Sequence, residues 1–269
     1  HDTVQPNKAY TRDPFSADII NKKLYGLGSN DAGGALVSLI ALFYHFFEHP
    51  NPNYNLLIAA TAEEETAGVN SLRGLLPHLP NIDLAIVGEP TLLDLAVAEK
   101  GLVVLDATVY GKPSHAAHPN DDQALLKVPK IIKAIENLRF PKVSDTLGEV
   151  KVTLTQIEAG RQHNVIPATV KMVLDARVND RYTNEEIETI LKKELDCEVE
   201  ARSLHLRSSS IPINHPLVVA GVELGKKTYG SPTLSDQAAL SCPSLKLGPG
   251  DSTRSHTADE FIYTNEIEE

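Results

Sequence analysis

The hydrophobic pattern changes period along the chain. Residues 35–47, "ALVSLIALFYHFF", are apolar on nearly every side, which predicts a buried helix. Two short continuous apolar runs, 55–61 ("NLLIAAT") and 83–88 ("DLAIVG"), predict parallel strands covered on both faces. The intervening "NSLRGLLPHL" can supply a crossover helix, so this part reads as α/β.

Past residue 100 the period shortens. "GLVVLDATVYG" (101–111) alternates like a half-exposed strand. "ALLKVPKIIKAIENL" (124–138) puts Leu125, Val128, Ile131, Ile132, Ile135 and Leu138 on one helical stripe, with Pro129 expected to kink the helix or mark its first turn. Two more strand patterns follow, in "EVKVTLTQIEAG" and "ATVKMVLDARVN". "TNEEIETILKKEL" then opens with the capping-box pair Thr183 and Glu186, and "CEVEARSLHLRSS" alternates again. Strand, helix, strand, strand, helix, strand is the split βαβ order of ferredoxin-like domains. Afterwards "PLVVAGVELGKKTYG" reads as a helix and "PSLKLGPG" as a strand entering a glycine turn.

The expected fold class is therefore α/β. A split domain with a mostly parallel sheet (1–95 and 209–269) is interrupted by a smaller α+β domain at 96–208. The opening "HDTVQP" has no initiator methionine, so the chain is expected to start partway into a domain.

Composition narrows the function. The 269 residues are 42% hydrophobic, enough for a core. No apolar run is long enough to span a bilayer, so no membrane partner is expected. A formal charge of −11 repels a phosphate backbone and argues against nucleic acid. Cys197 and Cys242 lack metal or redox spacing, which fits a cytoplasmic protein.

Within this acidity, placement is informative. Glu63, Glu64 and Glu65 follow the first apolar run, and Glu89 follows the second. Strand ends in a parallel sheet form its ligand-binding crevice. Asp31 lies among small residues in "GLGSNDAGG", Asp2 in "HDTV", and His256 in "STRSHTADEF". Each also fits a plain surface or turn role. Carboxylates gathered at strand ends would raise one another's pKa, and a divalent cation removes that conflict.

The motifs "HDTV", "GSNDAGG", "TAEEETAG", "VGEPT", "GKPSHAAHP", "NVIP" with "DAR", and "RSHTADEF" run in the order found in the co-catalytic zinc deacylases and peptidases. The chain resembles that family over essentially its whole length. The family includes acetylornithine deacetylase, succinyl-diaminopimelate desuccinylase, aminoacylase and a glutamate carboxypeptidase.

The resemblance implies two divalent metal ions, zinc first, with cobalt or manganese as alternatives. Asp31 would bridge them and Glu65 would bind one of them. Glu89 would bind one metal and His256 the other. Glu64 would be the general base of amide hydrolysis, and Glu63 would be non-catalytic. Asp2 would orient a ligand histidine. The family pattern is His-x-Asp, which puts that histidine just upstream of His1. His115 would reach a partner subunit's active site and help stabilise the oxyanion, so a homodimer through the inserted lid domain is implied. Asn164, Arg177 and Gly250 would line the substrate cleft. The expected substrate is an N-acyl amino acid, of the acetyl-ornithine type used in arginine synthesis. Desuccinylase and dipeptidase or carboxypeptidase activities are the alternatives. A metal-free binding module and an acidic interaction domain are the non-enzymatic ones.

Overall fold

The computed structural model describes residues 2–49 and 53–268. His1 lies outside them. The chain divides into two compact units. One comprises His1–Ala98, Ser210–Gly230 and Ser235–Glu269; the other comprises Glu99–Ser209 with Ser231–Leu234.

In the second unit, alternation along Gly101–Tyr110 buries Val103, Leu105, Ala107 and Val109 on one face. Thr169–Val178 does the same with Val170, Met172, Leu174 and Ala176. Two helices supply the matching apolar stripes. Ala124–Asn137 buries Val128, Ile131 and Ile135, and Asn184–Glu194 buries Ile187 and Leu191. Each such side chain contributes about 1.5–3 kcal/mol by leaving water.

The sheet runs Glu198–Ala201, Gly101–Tyr110, Thr169–Val178, Lys151–Ala159, with every neighbouring pair antiparallel. The pattern strand, helix, strand, strand, helix, strand thus closes as a split βαβ sheet with its helices on one face. The capping box forms: Thr183 Oγ1 accepts from Glu186 N at 3.1 Å, and Glu186 Oε2 accepts from Thr183 N at 2.8 Å. One detail differs from expectation: Leu125 is 46% exposed, off the buried stripe. Of the two places expected for Pro129, the helix interior is the one it takes.

The first unit departs further. Its larger sheet is ordered Ser209–Ser210, Leu95–Glu99, Ser244–Lys246, Ala85–Val87, with Thr228–Ser231 also paired to Leu95–Glu99. Ser244–Lys246 runs parallel to Ala85–Val87 but antiparallel to Leu95–Glu99. The sheet is mixed, not mostly parallel. The link from Ala85–Val87 to Leu95–Glu99 is too short for a parallel crossover and reverses the chain instead.

Residues 55–61 form no strand. A strand exists through its ladder, and no described residue forms a ladder with this run; Leu56 and Leu57 stay exposed. The helix Gly34–Glu48 forms, yet only Gly34 and Ala35 are buried, and Val37, Ile40, Tyr44 and Phe47 are exposed. An apolar circumference permits burial, but neighbours must supply it.

The helix expected over 216–230 ends at Glu223. Gly225 takes φ +83 and donates its N–H to the Val222 carbonyl, after which the chain becomes the strand Thr228–Ser231. Gly221 inside this helix is explained by close approach, since a Cβ there would lie 2.6 Å from Leu95. No helix among the described residues is long and apolar enough to cross a membrane.

Candidate metal centre

Asp31 is delivered by the turn Ser29–Gly33, which leads directly into Gly34–Glu48. Within it Asp31 leaves helical geometry, at φ −116 and ψ 94. Its side chain is 20% exposed, and its Oδ2 lies 3.7 Å from Nε2 of His256.

His256 follows the short 3-10 turn Ser252–Arg254, with its own backbone in the left-handed region at φ +60. The acidic triplet sits in a run of turns, not at the end of a strand. Its members face different ways. Glu63, at φ +58, folds back to accept from Asn70 N at 3.0 Å and Asn70 Nδ2 at 2.7 Å, so it clasps its own loop. Glu65 turns inward, with Oε2 at 3.2 Å from His256 Nε2. Donor atoms of Asp31, Glu65 and His256 all lie within 4.8 Å of one another.

Glu64 stands between these two environments. Its N–H donates to Asp2 Oδ1 at 3.2 Å. Burial pushes its carboxyl up to about 8, and the negative charges of Glu65, Asp236, Asp31 and Asp2 add to the effect. Glu65 is raised by burial and then by Asp31, against a lowering contribution from His256. The donor set is two carboxylates and an imidazole carrying surplus negative charge, which fits a divalent cation of the hard or borderline class.

Two acids that sequence reasoning missed belong to this neighbourhood. Asp236 accepts from Thr61 Oγ1 at 3.0 Å, and burial raises its pKa. It stands in "LSDQ", where only its position after a serine hints at a role. Glu260, four residues after His256, is 2% exposed and accepts the main-chain N–H groups of Gly28, Asn30 and Asp31. An acid directly before the apolar strand Phe261–Tyr263 was the available signal.

Glu89 follows Ala85–Val87 and is partly buried, near enough to Tyr229 to help raise its pKa. It is not one of the three clustered donors. Gly250 has φ +90, and a Cβ there would lie 2.6 Å from Asn30 Oδ1, so it shapes the loop before His256.

The other predicted residues lie in the second unit. His115 is exposed on the two-residue strand Ser114–His115 and accepts from Ala117 N through Nδ1 at 3.1 Å. The main-chain carbonyl of Asn164 accepts from Ala116 N at 3.0 Å, which brings it beside His115. Arg177 is held by Asp175 on its own strand, at 2.8 and 3.1 Å, so a substrate carboxylate has to compete with that partner.

Fold and site define a class, the metal-dependent amidohydrolases. The chain belongs to peptidase family M20/M25/M40, whose model matches residues 1–269. It is 29% identical over 287 residues to a succinyl-diaminopimelate desuccinylase of Rhodospirillum centenum, covering 96% of this chain and 73% of that protein. Four further desuccinylases match over 48% to 77% of their own length.

Among solved structures, an M20 family metallo-carboxypeptidase from Sulfolobus solfataricus shares the fold with a TM-score of 0.73 at 17% identity, over 98% of this chain and 79% of that one. A dinuclear metal-binding M20 peptidase from Bacillus subtilis aligns with a TM-score of 0.53 at 16% identity, over 76% and 59%. The five sequence relatives, unlike these two structures, are named for desuccinylation. The acetylornithine deacetylase branch expected from the motifs is not supported by them.

Proposed function

We propose that the chain hydrolyses the amide bond of an N-acylated amino acid, with an N-succinyl diamino acid as the substrate class. The observation that carries hydrolysis is the convergence of Asp31, Glu65 and His256, with the part-buried carboxyl of Glu64 next to Glu65 in the chain. The succinyl preference rests on the names of the relatives.

In this reading Asp31, Glu65 and His256 would hold one divalent ion, and Glu89 would help hold a second. Such ions, when bound, would supply positive charge that favours deprotonation of a water and polarisation of an acyl carbonyl. Glu64 accepts the proton of the attacking water and returns it to the leaving nitrogen. Asp2 fixes the backbone of Glu64 through the hydrogen bond from its N–H. As the family resemblance implies, His115 would help stabilise the oxyanion in a partner subunit's active site, and Asn164 and Arg177 would line a substrate cleft, Arg177 gripping a substrate carboxylate once exchanged from Asp175. The second unit acts as lid and dimerisation surface; its edge strand Lys151–Ala159 is largely exposed.

The test is hydrolysis of N-succinyl, N-acetyl and dipeptide substrates side by side by the Zn²⁺-loaded protein. The succinyl substrate is expected to turn over fastest, with activity lost to a chelator and restored by metal. Glu64→Gln should lower the rate by about 10²–10⁴ at unchanged metal content. Normal turnover by that variant overturns the base assignment. Faster cleavage of the acetyl or dipeptide substrate overturns the succinyl preference.

A further inference from the structure

The loops carrying Asp31 and His256 are far apart in sequence and are joined by two side chains that touch neither ligand's functional group. Asn30 is fully buried. Its Oδ1 accepts from Asp251 N at 3.0 Å, and its Nδ2 donates to Asp251 O at 3.0 Å. Asp251 in turn accepts from Thr253 N at 2.9 Å, which closes the turn leading to His256.

Glu260 works from the other side. Its Oε1 takes the N–H groups of Asn30 at 3.0 Å and Asp31 at 2.8 Å, and its Oε2 takes that of Gly28 at 3.0 Å. Pairing of Phe261–Tyr263 with Lys23–Tyr25 brings Glu260 to this position. Three converging donors require acceptors on both oxygens, which a carboxylate provides and a carboxamide does not: in either orientation a glutamine would turn its NH₂ toward at least one main-chain N–H. Burying a carboxylate is costly without such partners, so its presence here has to be compensated by what it holds.

We propose that Asn30 and Glu260 are positioning residues that clamp the Asp31 loop to the His256 loop and thereby set the affinity of the metal centre. This rests on the reading of Asp31, Glu65 and His256 as metal ligands. Partners standing behind metal ligands typically change affinity by about 10–100-fold when altered.

The experiment strips the protein of metal and titrates it with Co²⁺, following the visible absorption bands, alongside calorimetric Zn²⁺ binding. Wild type is compared with Glu260→Gln, Asn30→Asp, His256→Ala and Thr183→Ala, each at a temperature where circular dichroism reports it folded. Glu260→Gln and Asn30→Asp are expected to bind Co²⁺ about 10–100-fold more weakly, with altered band positions. Thr183→Ala, which loses a distant helix cap, should keep wild-type affinity and spectrum. Wild-type affinity and spectrum in Asn30→Asp, or in a folded Glu260→Gln, overturn the clamp. A His256→Ala protein that binds as tightly as wild type overturns the metal reading itself, whereas weakened binding in that variant alone sinks only the clamp.

Discussion

Withdrawal from water first, and crowding by other carboxylates second, favour the protonated form of a carboxyl group, and together they push Glu64 up to about 8 in the metal-free protein. The sign for stability follows. Its folded-state value lies above the ordinary 4.5, so the contribution of Glu64 is fully present below about pH 4.5 and is lost as pH rises through 8. The metal-free protein should therefore have a lower Tm at pH 8 than Glu64→Gln, with the difference shrinking toward pH 5; thermal denaturation in chelator reads both. Divalent cation should raise the wild-type Tm most at the alkaline end. At this scale the motifs at 31, 65 and 256 marked the three residues whose donor atoms cluster, and the family resemblance set Glu63 apart from its neighbours. The sequence did not reveal Asp236 or Glu260, because the significance of a buried acid lies in the donors facing it, and those come from residues 61 and 28–31.

Helices and strands were legible where their partners are local or their period is clean. The helix Asn184–Glu194 announces its start, and removing the cap with Thr183→Ala should cost about 1 kcal/mol in denaturant unfolding. The alternating strand Gly101–Tyr110 buries the face its pattern marks. Leu105→Ala there should destabilise by about 2–5 kcal/mol, read in the same urea titration. Continuous apolar runs were less informative. Residues 55–61 and 35–47 have the composition of buried elements, yet one has no ladder partner among the described residues and the other leaves most of its surface exposed. Periodicity identifies which side of an element is buried only when there are two sides to tell apart.

Across the molecule, the order of motifs carried family membership, while the named relatives shifted the expected acyl group from acetyl to succinyl. Acyl choice depends on a few side chains lining a pocket, and they need not be the ones that make a motif recognisable. By itself the sequence determined the split βαβ unit, its capping box and which short motifs supply the clustered donors Asp31, Glu65 and His256, since periodicity and short motifs are properties of neighbouring residues. Only the tertiary structure decided the mixed strand directions, the inward and outward turns of the three adjacent glutamates, and the joining of the Asp31 and His256 loops by Asn30 and Glu260. Those features depend on hydrogen bonds and charge interactions between residues up to 232 positions apart, which no local pattern encodes.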